Sequence, residues 1–122
     1  MILVPSMFEP CGLTQLVAMR YGTVPVVRRT GGLNDTVFDV HDGRERAESL
    51  GLAPNGFQFE GSAEGDLDYA LDRALDFWYN DREGFGRLVR TAMSQDWGWD
   101  EPAEQYVEAY FSAVKSAVGR QG

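Results

Sequence analysis

The stretch Phe8-Glu9-Pro10-Cys11-Gly12-Leu13-Thr14-Gln15 decides how the chain reads. Before it lies Ile2 to Val4, a short continuous apolar run closed by Pro5, the pattern of a strand buried on both faces of a parallel sheet. After it, Leu13, Leu16 and Val17, extending to Arg20 and Tyr21, follow helical spacing, and Gly22 supplies a C-terminal stop. Thr23-Val24-Pro25-Val26-Val27 then reads as a second strand, in which Pro25 needs a place where no ladder donor is required. Strand, helix and strand make a βαβ unit with a right-handed connection. The fold class is therefore α/β with a parallel sheet.

A strand, a tight turn and a helix N-terminus present backbone N–H groups to an anion. Gly12 lets a ligand approach the backbone closely, the N–H groups of Leu13 and Thr14 are orphan donors of a first turn, and Thr14 adds a hydroxyl. Glu9 taken alone reads as a cap or a surface charge. Beside Gly12 and Thr14 it marks an anion site flanked by an acid, which suits a ligand carrying phosphate and hydroxyls, such as a sugar nucleotide. A second glycine turn, Arg28-Arg29-Thr30-Gly31-Gly32-Leu33, follows the second strand. It falls at the carboxyl edge where open parallel sheets bind ligands, which makes Thr30, Gly31 and Gly32 a candidate cleft loop. Arg28 and Arg29 either neutralise a phosphate or solvate the sheet edge.

Val37 to Val40 is expected to be extended, 41–55 to be a surface loop, and Gly56-Phe57-Gln58-Phe59 to be a third strand of alternating polarity. Leu67, Ala70, Leu71, Ala74, Leu75 and Trp78 share one helical face. Asn80 and Glu83 resemble a capping box that opens a helix with Phe85, Leu88, Val89, Ala92 and Met93 inward. Asp96-Trp97-Gly98-Trp99 is a break, after which Asp100 or Glu101 caps a last helix with Pro102 in its first turn. Two or three strands and four helices amount to half of a doubly wound sheet. Such a half-sheet leaves uncovered the last helix's stripe of Ala103, Tyr106, Val107, Tyr110, Phe111 and Val114.

The formal charge of −8 argues against binding nucleic-acid phosphates. Cys11 is the only cysteine, so neither an intrachain disulfide nor a thiolate metal cluster can form. With no histidine near it in sequence, Cys11 is expected to pack or to touch ligand. His41, the only histidine, is expected at the surface, and Asp35, Asp39 and Asp42 lack the spacing of a calcium loop. No metal is expected. Trp97 and Trp99 could stack on a sugar ring, but two aromatics between helices more often anchor packing. No run reaches the roughly 18 apolar residues that span a bilayer. The chain opens on a buried-looking strand without a signal peptide, which suggests a piece of something longer.

The run from Pro5 to Leu16, then Ala18-Met19-Arg20-Tyr21-Gly22-Thr23-Val24-Pro25, then Arg29 to Leu33 with Asp35-Thr36-Val37, closely resembles the bacterial glycogen synthase and plant starch synthase family. Asn55-Gly56-Phe57 and Asp96 to Trp99 extend the likeness, which is most like the starch synthase III type of plants and green algae. The resemblance implies part of a two-domain GT-B-type glycosyltransferase, with residues 1–122 as the C-terminal part of the nucleotide-sugar-binding domain. It implies retaining transfer of glucose from ADP-glucose to the non-reducing end of an α-1,4-glucan, with no metal. In that family Glu9 would be the catalytic carboxylate, and Cys11, Gly12, Leu13 and Thr14 would hold donor glucose and phosphate. The second acid of the wider superfamily's paired-glutamate motif would fall at Val17 and is absent. The N-terminal domain, with its Lys-x-Gly-Gly-Leu loop, has no counterpart here, and the last helix in the family crosses back toward that domain. The isolated chain is accordingly expected to be inactive. The alternative is a non-catalytic nucleotide-binding or partner-docking module. Plastid location would follow for a starch-type parent and cytoplasm for a bacterial one.

Overall fold

A computed structural model describes residues 1–119. Three short strands, β1 (Ile2–Val4), β2 (Pro25–Arg28) and β3 (Phe57–Phe59), form a parallel sheet in the order β1-β2-β3. Ile2, Leu3 and Val4 lie beside Pro25, Val26 and Val27, and Val26, Val27 and Arg28 lie beside Phe57, Gln58 and Phe59. Pro25 opens its strand, where its missing N–H breaks no ladder. The helices are α1 (Thr14–Arg20), α2 (Gly31–Thr36), α3 (Arg44–Ser49), α4 (Glu64–Asn80), α5 (Arg82–Ser94) and α6 (Asp100–Gly119).

Because side chains alternate along a strand, β2 feeds two cores. Val24 and Val26 join Phe57, Phe59, Ala70, Ala74, Phe85 and Leu88 under α4 and α5. Val27 faces the other way, with Val4, Leu33 and Val37, under α2. The aromatic part of the first core is edge-to-face: Phe57 meets Phe77 at 6.1 Å and Phe77 meets Phe85 at 6.1 Å, while Trp78 meets Phe85 at 4.9 Å.

Several expectations need correction. β1 is not buried on both faces, since it lies at an edge of this sheet and Leu3 is 40% exposed. The helically spaced residues at α1 do not form its buried face: Leu13, Val17 and Tyr21 are exposed and Leu16 is half-buried. The helix instead buries Gln15, Ala18 and Met19, because its small and flexible side chains are the ones that fit against the sheet and α5. Gly31 and Gly32 do not form a free turn but start α2, and 41–55 contains α3 rather than a continuous loop. β3 is buried at every residue, including Gln58, so its alternation is one of chemistry and not of exposure.

Val37 to Val40 forms no strand; only Asp39 bridges to Gly56. A buried polar network does the work of a ladder there. Asp39 accepts the Gln58 N–H at 2.6 Å and the His41 N–H at 2.9 Å. Arg73 of α4 clamps the same carboxylate at 2.8 and 2.9 Å and donates to the Gln58 carbonyl. Burial pushes the Asp39 carboxyl up, but Arg73 and the two backbone donors outweigh it and hold the group below its ordinary value. Asn55, inside the expected surface loop, is fully buried and bridges Phe38 and Thr36.

The α5 cap is Asp81, whose carboxylate accepts the Gly84 N–H at 2.7 Å, one residue later than the expected Asn80 box. Leu75 and Met93 lie outside the core. α6 begins at Asp100, so both Asp100 and Glu101 sit within its first turn and neither precedes it as a cap. Its Tyr106, Val107, Tyr110, Phe111 and Val114 are all exposed, as expected of an uncovered stripe.

Candidate functional site

The carboxyl ends of β1 and β2 lead into the two glycine segments, and the structure packs these segments backbone against backbone. The Gly32 N–H donates to the Glu9 carbonyl at 2.9 Å. A Cβ on Gly31 would overlap that same carbonyl, and one on Gly32 would overlap the carbonyl of Cys11. Gly31 also sits at φ +42°, where a side chain is strained. Glycine is required at both positions for this approach, and both were singled out in the sequence for a different reason. Residues 8–12 and 30–32 therefore form one surface.

Gly12, at φ +73°, turns the chain into α1. A side chain there would meet the Gln15 amide and the Glu9 Cγ, so Glu9 folds back over the turn and is itself half-buried. Leu13 precedes the helix without any side-chain cap. Among the described residues, no acceptor is paired with the backbone N–H groups of Gly12, Leu13 or Thr14. An uncapped N-terminus forfeits about 1 kcal/mol relative to Ser, Thr, Asp or Asn at the cap. Cys11 and Thr14 are exposed beside it, so the arrangement offers N–H donors and a hydroxyl to an anion, with one carboxylate beside them to accept from a ligand's hydroxyls.

Thr30 precedes α2 with extended backbone and makes no side-chain cap bond. Arg28 and Arg29 resolve toward a structural role. Arg28 lies 4.9 Å over the Phe59 ring and donates to the Pro5 carbonyl. Arg29 is held bidentately by Asp42 at 2.9 and 3.1 Å and by Glu60 at 2.8 Å. Burial lowers the Arg29 guanidinium, but those two carboxylates more than reverse it and keep it charged. Trp97 is half-buried along an open groove of about 650 Å³ with Leu13, Leu16, Val17 and Tyr21. Trp99 is 73% exposed and touches Tyr106, so it is not the packing anchor expected of it.

Gln15 escaped notice in the sequence. It is fully buried, and its Nε2 donates to the Gly12 carbonyl at 2.8 Å and to Thr36 Oγ1 at 3.0 Å. Only its place two residues after Gly12-Leu13, polar among apolar neighbours, could have flagged it.

No protein-family model matches the chain. Curated relatives do. The chain is 60% identical over 114 residues to soluble starch synthase 3 of Solanum tuberosum, covering 93% of this chain and 9% of that protein. It is 61% identical over 114 residues to starch synthase 3 of Arabidopsis thaliana, covering 93% of this chain and 11% of the relative. It is 51% identical over 117 residues to glycogen synthase 2 of Agrobacterium fabrum, covering 96% and 22% respectively. Among solved structures, it matches the catalytic domain of starch synthase IV from Arabidopsis thaliana bound to ADP and acarbose, with a TM-score of 0.82 at 46% identity, over 93% of this chain and 22% of that one. The chain thus spans roughly a tenth of the plant relatives and about a fifth of the bacterial one. With its βαβ unit, its parallel sheet and these identities, the chain belongs to the starch synthase and bacterial glycogen synthase family.

Proposed function

We propose that the chain is the donor-gripping part of a glucosyltransferase that moves glucose from ADP-glucose to the non-reducing end of an α-1,4-glucan with retention. It corresponds to the C-terminal part of the nucleotide-sugar-binding domain. The observation that carries this reading is the Glu9–Thr14 turn, which bears a carboxylate and N–H groups unpaired among the described residues, and whose Glu9 and Cys11 backbone is packed against Gly31 and Gly32. Its support from outside is the likeness to a starch synthase catalytic domain bound to ADP and acarbose.

In this reading the N–H groups of Gly12, Leu13 and Thr14, with the Thr14 hydroxyl, receive the donor's phosphate charge as it grows. Preorganised donors of this kind stabilise charge that develops in the transition state without reorganising. Glu9 orients the glucose and offsets positive charge at the anomeric carbon as its bond to phosphate oxygen breaks. Cys11 lies beside the sugar as a contact. Holding the acceptor hydroxyl on the face of the sugar that the phosphate leaves supplies the remainder, with no metal assigned a part. Val17 is exposed where the wider superfamily has its second acid, so Glu9 is the single carboxylate of the turn.

One jaw of a cleft cannot position an acceptor, so the chain alone is expected to bind ADP weakly and to transfer no glucose. Calorimetric titration with ADP tests the grip, with Thr14→Pro removing one N–H. No heat with the wild-type chain would overturn the assignment of the turn. Incubation with ADP-glucose and a glucan primer tests the incompleteness; chain elongation would overturn it.

A second reading is a docking module, favoured by the α6 stripe, in which Tyr110, Phe111 and Val114 are each more than 60% exposed. Co-purification with a full-length synthase that is lost in Phe111→Glu would support it. A starch-type parent would place the chain in a plastid, as the names of the plant relatives do for those proteins, and a bacterial-type one in the cytoplasm. Among the described residues no helix is long and apolar enough to cross a membrane.

A further inference from the structure

Gln15 poses a question that packing does not answer. Its side chain is fully buried, yet among the described residues its Oε1 has no hydrogen-bond partner. A buried, unsatisfied amide oxygen is a cost that an unbranched apolar side chain of similar length would avoid. What methionine could not supply is the amide's two donors. One holds the Gly12 carbonyl at 2.8 Å and the other holds Thr36 Oγ1 at 3.0 Å. Thr36, the last residue of α2, passes its own hydroxyl hydrogen back one turn to the Gly32 carbonyl at 2.7 Å. The chain Gly12 carbonyl, Gln15 amide, Thr36 hydroxyl and Gly32 carbonyl runs beneath the surface formed by the two turns. On the other side of that surface the Gly32 N–H holds the Glu9 carbonyl.

We propose that Gln15 and Thr36 are positioning residues, a polar strut that sets the spacing between the Glu9–Gly12 turn and the Gly31–Gly32 turn and so the geometry of the anion site. The proposal rests on the reading of that turn as the donor grip. Neither side chain needs to touch ligand: each acts through a glycine carbonyl. Two segments held at both faces behave as one unit, so changes in either member of the strut propagate to both turns.

The measurement uses Gln15→Met, Thr36→Val, the double variant and the conservative Thr36→Ser, each followed by thermal unfolding, ADP titration and backbone amide NMR. Gln15→Met and Thr36→Val each remove two of the strut's three hydrogen bonds and are expected to unfold within a few degrees of wild type and to weaken ADP binding about tenfold. The double variant is expected to lose no more than either single one, since the pair acts in series. Thr36→Ser restores the hydroxyl and is expected to bind as wild type. Wild-type affinity in both single variants would overturn the proposal, as would additive losses or losses that track the unfolding temperature. A wild-type chain that binds no ADP refutes the donor-grip reading instead. The strut is then still decided by NMR: Gln15→Met must move the amide signals of Gly31 and Gly32, and unmoved signals would overturn it.

Discussion

Replacing Gly32 by alanine isolates the close approach on which the site is built. Gly32 has no positive φ, so alanine meets no backbone strain and the whole effect is steric. Its Cβ would overlap the Cys11 carbonyl oxygen and carbon and lie 2.6 Å from the Cys11 Cα. All three are backbone atoms, so no flexible side chain can swing aside. The two segments must separate, and the Gly32 N–H to Glu9 carbonyl bond at 2.9 Å lengthens or breaks. Overpacking of this kind costs about 1–3 kcal/mol. In a domain of this size that corresponds to a drop of about 4–8 °C in unfolding temperature per kcal/mol. Displacing a binding group by about 1 Å can cost on the order of a hundredfold in function, so ADP affinity is expected to fall by at least tenfold. Gly65→Ala is the matched control, because a Cβ there meets nothing within 4 Å and the residue lies in α4. It should stabilise by roughly 0.5–1 kcal/mol through helix propensity and leave ADP binding untouched. Thermal unfolding and calorimetric titration of both variants decide the matter. A Gly32→Ala chain that unfolds and binds as wild type would refute the backbone-to-backbone packing and the site built on it.

Phe57 is fully buried with its ring edge-to-face on Phe77, so Phe57→Ala should destabilise by about 3–5 kcal/mol; chemical denaturation showing a loss below about 1 kcal/mol would contradict this core. Arg73→Met should cost about 3–5 kcal/mol, because it strands the Asp39 carboxylate without its cation, and an unfolding midpoint equal to wild type would refute the clamp. The Asp39 carboxyl is held below its ordinary value when folded, so the stability it contributes is full above the unfolded carboxylate pKa of about 3.9 and is lost as pH falls through the folded one. Unfolding temperatures measured from pH 6 to pH 3 should therefore fall more steeply for wild type than for Asp39→Asn, and parallel curves would count against the linkage.

The sheet was legible because each strand is a short apolar run with its stop beside it: Pro5 after Val4, and glycine before Phe57. The long helices were legible because Ala70 and Ala74, or Phe85, Leu88 and Ala92, recur at helical spacing and all are buried. α2 and α3 were not, since six residues give too little periodicity to register and Gly31-Gly32 reads locally as a turn. The Asp39–Arg73 pair joins residues 34 positions apart, a separation at which no local pattern carries information. α1 misled for another reason. Val17 and the flanking Leu13 and Tyr21 face outward while Met19 is buried, and periodicity can report that a helix has an apolar face without saying what covers it.

Several local rules are broken together at the carboxyl edge of the sheet, and their meeting there bears on function. Elsewhere the ends are mixed: Asp81 caps α5 and the Asp66 carboxylate accepts the Ala63 N–H at the start of α4, while Gly43 leads into α3 without a side-chain cap. At the edge, α1 and α2 both begin without a side-chain cap, Gly31 takes a conformation that other residues avoid, and Gln15 buries an unpaired oxygen. Each departure is unfavourable to folding by itself. They involve residues of only two segments, and those segments share one surface. Local rules that fail together at one place mark a site rather than a poorly made fold. Leaving the N–H groups uncapped gives an anion something to bind, and the two glycines bring it against both turns at once. The departures also separate two accounts of Glu9: a carboxylate serving only as a surface charge would need none of them. Restoring an ordinary cap is then a sharp probe, since Leu13→Asp should gain about 1 kcal/mol from the new cap while placing a negative charge where the phosphate would sit. A variant that is more stable yet no longer binds ADP is the outcome this account requires, and one that gains stability while keeping its affinity would refute it.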